Sequence, residues 1–168
     1  MTRVAELLAE LDRYRPARQR MLSALGLAES NREPLAEFAE HFVAALTDGT
    51  LASSRVQSHW DVELPNGERV QVRFLANPRD RWVNEHLVYR IPNVHWYCLV
   101  LFENMTVVAV LSFPNDLSAI CAVLKKRHPR QDETLQFTRR NWWAIRDDPG
   151  TFRSLGMRVW LPPYRTEQ

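Results

Sequence analysis

The sequence predicts an α/β domain built around a mixed β-sheet flanked by helices. Three observations predict it. Residues 35–46 carry an apolar stripe at helical spacing. Residues 60–74 alternate apolar and polar side chains on both sides of a Pro-Asn-Gly turn. Two near-continuous apolar runs, residues 95–103 (HWYCLVLFE) and 106–113 (TVVAVLSF), then have the character of strands covered on both faces.

The elements follow in order. Val4, Leu7, Leu8, Leu11 and Tyr14 fall at i, i+3, i+4, i+7 and i+10, which predicts a helix over 3–14. Pro16 is expected to end or kink it, with a shorter helix over 17–25 stopping at Gly26. Residues 1–28 read as a helical extension, a candidate arm for a homodimer or a partner protein, ahead of a domain over 29–168. Pro34 suits the first turn of the next helix. Leu35, Phe38, Ala39, Phe42 and Leu46 form its stripe, and Gly49 is expected to end it. At 100° per residue, Glu40 flanks the stripe and Glu37 points nearly opposite to it.

The hairpin has a register that can be inferred. A two-residue Asn66-Gly67 loop would mix apolar and polar residues on each face. A three-residue loop of Pro65, Asn66 and Gly67 pairs Val62 with Val70 and Asp61 with Gln71, and places every apolar residue on one face. It also puts proline at the first corner and glycine in the left-handed position. The polar face then carries Asp61, Glu63, Gln71 and Arg73. Beyond the two apolar strands, Leu117, Ile120, Cys121 and Leu124 predict a helix over 115–127. A strand over 135–139, a short helix over 148–155 and a strand over 158–161 complete the chain.

Composition excludes several functions. The chain has 168 residues, enough for one core of its own. It has five glycines, about 3% against a usual ~7%. They are too scattered for a dinucleotide loop, a phosphate loop or a nucleophile elbow. Five histidines and two cysteines show no zinc spacing. Cys98 and Cys121 sit in apolar contexts and read as small buried hydrophobes. No apolar run approaches the ~18 residues that span a bilayer, so no membrane partner and a cytoplasmic location are expected.

The chemistry-bearing residues are therefore the polar face of the hairpin. Oxygen ligands from two adjacent strands suit Mg²⁺, which stabilises a phosphoryl transition state and activates water. A cation two residues along faces the same way. The helix Glu40-His41-Phe42-Val43-Ala44-Ala45-Leu46, followed by Trp60-Asp61-Val62 and Gln71-Val72-Arg73, resembles the PD-(D/E)XK nuclease superfamily, with its restriction-endonuclease-like fold. The resemblance covers roughly residues 33–140. It implies a Mg²⁺-dependent (or Mn²⁺-dependent) DNA endonuclease or phosphodiesterase. Glu40, Asp61, Gln71 and Arg73 would be its catalytic residues, with metal held by Asp61, Gln71 and Glu63. Two departures matter. Gln71 supplies a neutral oxygen where the family has a carboxylate. Arg73 replaces a lysine and stays protonated, so it is a poor general base. A decayed relative acting as a nucleic-acid-binding or protein-assembly module is the alternative.

The net charge is only +2, with 22 basic residues against 20 acidic. Its distribution is uneven. Lys125, Lys126, Arg127, Arg130, Arg139, Arg140 and Arg146 are opposed only by Asp132 and Glu133 between residues 125 and 146. Lys125, Lys126, Arg139, Arg140, Trp142 and Trp143 are the candidate nucleic-acid surface, since arginines grip phosphates and exposed aromatics stack on bases.

Overall fold

A computed structural model describes residues 3–27, 34–53, 59–124 and 133–164, with side chains from Arg13 onward. Helix α1 (Arg3–Ala24) is continuous through Pro16 rather than ending there. Residues 13–17 around the proline are exposed. The helix closes with Leu27 N–H on the Leu22 carbonyl at 2.8 Å. Leu22 is fully buried and α1 packs against α2 (Pro34–Leu46). A second difference is Glu37, expected on the outward side of α2, which is 1% exposed.

The described strands are β1 (Thr50–Leu51), β2 (Val62–Glu63), β3 (Arg69–Asn77), β4 (His86–Tyr89), β5 (Trp96–Glu103), β6 (Thr106–Pro114), β7 (Thr134–Phe137) and β8 (Arg158–Trp160). Helices α3 (Ser118–Val123), α4 (Arg139–Asp147) and α5 (Pro149–Ser154) intervene. Six strands form one sheet in the order β1-β2-β3-β5-β6-β8, and β4 pairs with β7 apart from it. Within the large sheet β3 and β5 run parallel and the other neighbours antiparallel.

The inferred hairpin register holds. Val62 pairs with Val70 and Glu63 with Arg69. Leu64 N–H meets the Glu68 carbonyl at 2.8 Å, and Gly67 N–H meets the Leu64 carbonyl at 2.9 Å. Gly67 has φ +82°, the left-handed value the turn requires. Continuing the ladder sets Asp61 opposite Gln71, although regular pairing begins only at Val62 and Asp61 N–H bonds to the Val70 carbonyl at 2.9 Å. The second tight turn, Asn104-Met105, has both residues at positive φ, as a two-residue hairpin loop demands.

Two apolar layers sandwich the sheet. On one side α2 sets Ala39 and Val43 against Val62, Val70, Val72, Cys98 and Val100. On the other, Leu99, Leu101, Leu111 and Phe113 meet Ile120, Phe137, Ile145 and Phe152 from α3, β7, α4 and α5. Successive β5 residues face alternate layers, which is why that strand is apolar at nearly every position. Both cysteines are buried, and burial pushes the Cys98 thiol up to about 12.

Three elements were not expected from the sequence. β1 adds an edge to β2, with Leu51 opposite Val62. β4 forms part of the crossover from β3 to β5. α4 is started by a capping box in which Thr138 N–H meets Asn141 Oδ1 at 2.8 Å. α3 is shorter than expected, opened by Asp116, which accepts from Ser118 N–H at 2.9 Å; the end of the expected helix lies outside the described residues. At the far end of β3, buried Asn77 accepts the N–H groups of Val83 and Asn84, each at 2.8 Å.

Gly49 does not take the left-handed position after α2; Asp48 does, with φ 53°. Gly49 is small for a different reason. A Cβ there would lie 2.7 Å from Val62 Cγ1 and 3.0 Å from the Glu63 carbonyl oxygen. Gly49→Ala is expected to cost about 1–3 kcal/mol through overpacking, read as a lower urea midpoint. A second prediction concerns Glu68, which joins the hairpin turn to β8. It accepts from Trp96 Nε1 at 2.9 Å and from Arg158 Nη2 at 2.8 Å. Burial pushes its carboxyl up, but hydrogen bonds from Asn66, Trp96 and Arg158 outweigh that and hold it below the ordinary value. Its stabilisation is therefore present above the unfolded pKa and lost as pH falls through the folded one. Glu68→Gln is expected to flatten the acid limb of a melting temperature against pH profile.

Candidate functional site

Three of the four expected catalytic residues meet at one point. Asp61 lies where the chain enters β2, and its Oδ2 reaches β3. It accepts the Val72 backbone N–H at 2.8 Å and the side-chain amide Nε2 of Gln71. Arg73 Nη1 lies 3.4 Å from the same oxygen and donates to the Val72 carbonyl at 2.7 Å. Asp61 thus bonds a β3 N–H just beyond the end of the paired ladder. Gln71 is 5% exposed, whereas the Asp61 and Arg73 side chains are 14% and 44% exposed. Arg73 is the member that solvent and ligands reach. Among the described residues its Nε and Nη2 have no hydrogen-bond partner.

The fourth residue is placed differently. Glu40 sits on α2, which covers the face of Val62, Val70 and Val72. Side chains alternate along a strand, so Gln71 and Arg73 point to the opposite face. The expectation placed Glu40 at the flank of a stripe without knowing which face of the sheet the stripe covers. Glu63 is exposed at the β1 side of the hairpin, opposite Thr50 and Arg69.

Magnesium, which the resemblance implies, wants several oxygens converging on it. The residues present do not fit it. Asp61 is the single carboxylate of the three, Gln71 brings a neutral amide, and Arg73 brings a positive charge that a metal ion would repel. Among the described residues no three His, Cys, Asp or Glu side chains gather as a metal would need.

A feature beside this node was missed in the sequence. Tyr97 pairs with Gln71 across the parallel ladder, and its hydroxyl lies 2.7 Å from His86 Nε2. Burial pushes the Tyr97 phenol up, with Tyr89 and Asp61 adding to that and Arg73 offsetting part of it. Burial, with help from Arg73, pushes His86 down, so the imidazole is neutral at pH 7. The available signal was the alternation in residues 86–89, with His86 and Val88 on one side.

The expected nucleic-acid residues divide. Trp142 is 3% exposed and belongs to the core, because it lies on the inner face of α4. Trp143, the next residue, is 40% exposed. Arg139 is spent mainly on structure. Its Nη1 and Nη2 hold the Asp80 and Arg79 carbonyls, each at 2.7 Å, and its guanidinium lies 4.7 Å from the Trp143 ring centroid. Arg140 is exposed. Lys125 and Lys126 lie outside the described residues. Arg79, Arg139, Arg146 and Trp143 line a groove of about 570 Å³ at the Glu103 end of β5.

No protein-family model and no curated protein matches this chain. No described helix is long and apolar enough to cross a membrane.

Asp61→Ala is expected to leave the Val72 N–H and the buried Gln71 amide without their acceptor, at about 1–3 kcal/mol for each buried donor. Urea denaturation of the variant checks this. His86 gives a pH prediction. Its folded pKa lies below the unfolded one, so its neutral burial stabilises above the unfolded pKa and that stability is lost as pH falls through the folded one. His86→Gln is expected to shrink the loss of melting temperature below pH 6.5.

Proposed function

We propose that this chain is a nucleic-acid-binding module with a restriction-endonuclease-like architecture, DNA being the expected ligand. The observation that carries the reading is the groove in which exposed Trp143 and the arginines Arg79, Arg139 and Arg146 come together. Guanidinium charge draws phosphates in, and an exposed indole, here with Arg139 4.7 Å from its ring centroid, stacks on any base. Asp80 and Glu103 also line the groove, Glu103 accepting Trp82 Nε1 at 3.0 Å, and Arg146 Nη2 lies 2.7 Å from Asp147 Oδ1. The architecture is supported by the order of elements: α2, the β1-β2-β3 meander with Asp61 entering β2, Gln71-Val72-Arg73 on β3, and β5 beside it.

The second reading is a metal-dependent phosphodiesterase. One observation favours it: Asp61, Gln71 and Arg73 meet in the register inferred from the sequence. It requires Asp61 to exchange its present donors for a cation, with Glu40 and Glu63 brought in from where they now lie.

Fluorescence anisotropy of labelled single- and double-stranded DNA over a salt series tests the first reading. Binding is expected to weaken with salt, and Trp143→Ala to weaken it about tenfold, since stacking on one base is worth ~1–3 kcal/mol. No binding at low salt, or unchanged binding by Trp143→Ala, would sink it. DNA cleavage in Mg²⁺ or Mn²⁺ that disappears in Asp61→Asn would establish the second.

A further inference from the structure

Two kinds of surface line the groove at the Glu103 end of β5. Arg79, Arg139 and Arg146 bring positive charge there, and Asp80 and Glu103 bring negative charge. Three against two leaves one net positive charge, and Arg146 is further engaged by Asp147 at 2.7 Å. Affinity for a duplex comes largely from the phosphates that basic side chains neutralise. A groove with so small an excess neutralises few of them, and its carboxylates repel a phosphate chain laid along it.

The rest of the lining is apolar. Val107, Val108, Leu161 and Pro162 share the groove with the Trp143 indole. Such groups gain by covering a flat apolar surface. A duplex hides the flat faces of its bases against one another and turns phosphates and sugars outward. The size of the groove agrees. About 570 Å³ is the scale of a small-molecule pocket, which suits a nucleotide turned out of a strand and does not admit a double helix. Trp143 is also prepared for stacking. Arg139, 4.7 Å from the ring centroid, is its only ring or cation partner among the described residues. Arg139 is itself fixed by the Asp80 and Arg79 carbonyls, each at 2.7 Å. The indole therefore rests on an anchored cation, and a platform already held in place loses little freedom on binding.

We infer that the groove takes an unpaired base of a single strand rather than the outside of a duplex, which names the ligand class of the nucleic-acid-binding reading and rests on that reading. The base stacks on Trp143 while the adjoining phosphate meets the arginines. Every base has a face to stack, so the groove accepts all four. A duplex offers the same face only after unstacking, which costs free energy at each opened step.

Fluorescence anisotropy at low salt compares three labelled probes of equal length, about 16 nucleotides. One is a single strand of DNA, one is the same strand annealed to its complement, and one is an abasic sugar-phosphate strand. The wild type is expected to bind the intact single strand about tenfold or more tighter than either of the others. Trp143→Ala is expected to remove that advantage, bringing the single strand to the level of the abasic one. Trp143→Phe, which keeps a ring, is expected to retain most of it. A duplex or an abasic strand bound as tightly as the intact single strand would overturn the inference and leave the nucleic-acid-binding reading standing. So would a preference for the single strand that survives Trp143→Ala, with respect to this groove. No binding of any probe would overturn both.

Discussion

Strand β3 has four different surroundings to satisfy at once, and the remaining structure is arranged around it. On one edge it pairs antiparallel with the short β2, and on the other it pairs parallel with β5 over eight positions. One face carries Val70 and Val72 into the layer under α2. The other carries Gln71, Arg73, Leu75 and Asn77, and changes along its length from polar node to apolar core to loop anchor. A one-residue slip of this strand would exchange the two faces. It would bury Arg73 under α2 and break the Asp61, Tyr97 and Asn77 contacts together. Every polar feature of the candidate site depends on that single register.

The parallel pairing has its own requirement. Two parallel strands cannot be joined by a tight turn. Here the crossover between β3 and β5 includes β4, which pairs with β7 rather than with the large sheet. This brings His86 over Tyr97 and closes the polar node from above. The loop that leaves β3 is held by Asn77 from within and by Arg139 from α4. Arg139 therefore ties that loop to α4, while its guanidinium also lies 4.7 Å from the Trp143 ring centroid.

Much of this was legible in the sequence, for local reasons. The hairpin register could be inferred because alternation on both arms and Gly67 at the turn agree on one solution. The central strands were visible because side chains facing two apolar layers leave no polar positions. What was not legible depends on contacts between distant segments. Glu37 is buried, which no pattern within residues 34–46 discloses. β1, two residues long, is too short to show a period and exists through its pairing with β2. Trp142 and Trp143 stand side by side in the sequence, yet they are about 100° apart around a helix, so one is buried and the other exposed, and the capping box that starts that helix, Thr138 and Asn141, lay just ahead of them. The convergence of Asp61, Gln71 and Arg73 was foreseen, but not that Arg73 would reach back to the Val72 carbonyl.

The pairing of β4 with β7 also orders events in time. Val88 finds Leu135 only after β5, β6 and α3 have been made. During synthesis the hairpin and the β5-β6 pair are able to form from nearby chain, while the cover over Tyr97 waits for residues near the C-terminal end. Until then the apolar surface of Leu99, Leu101 and Leu111 has only Leu117, at the start of α3, and Ile120 and Cys121 within it to cover it, since Phe137, Ile145 and Phe152 all arrive later. Long-range contacts of this kind slow folding and lengthen the exposure of sticky intermediates. The nascent chain is therefore most vulnerable to aggregation in the interval between completion of β6 and emergence of β7.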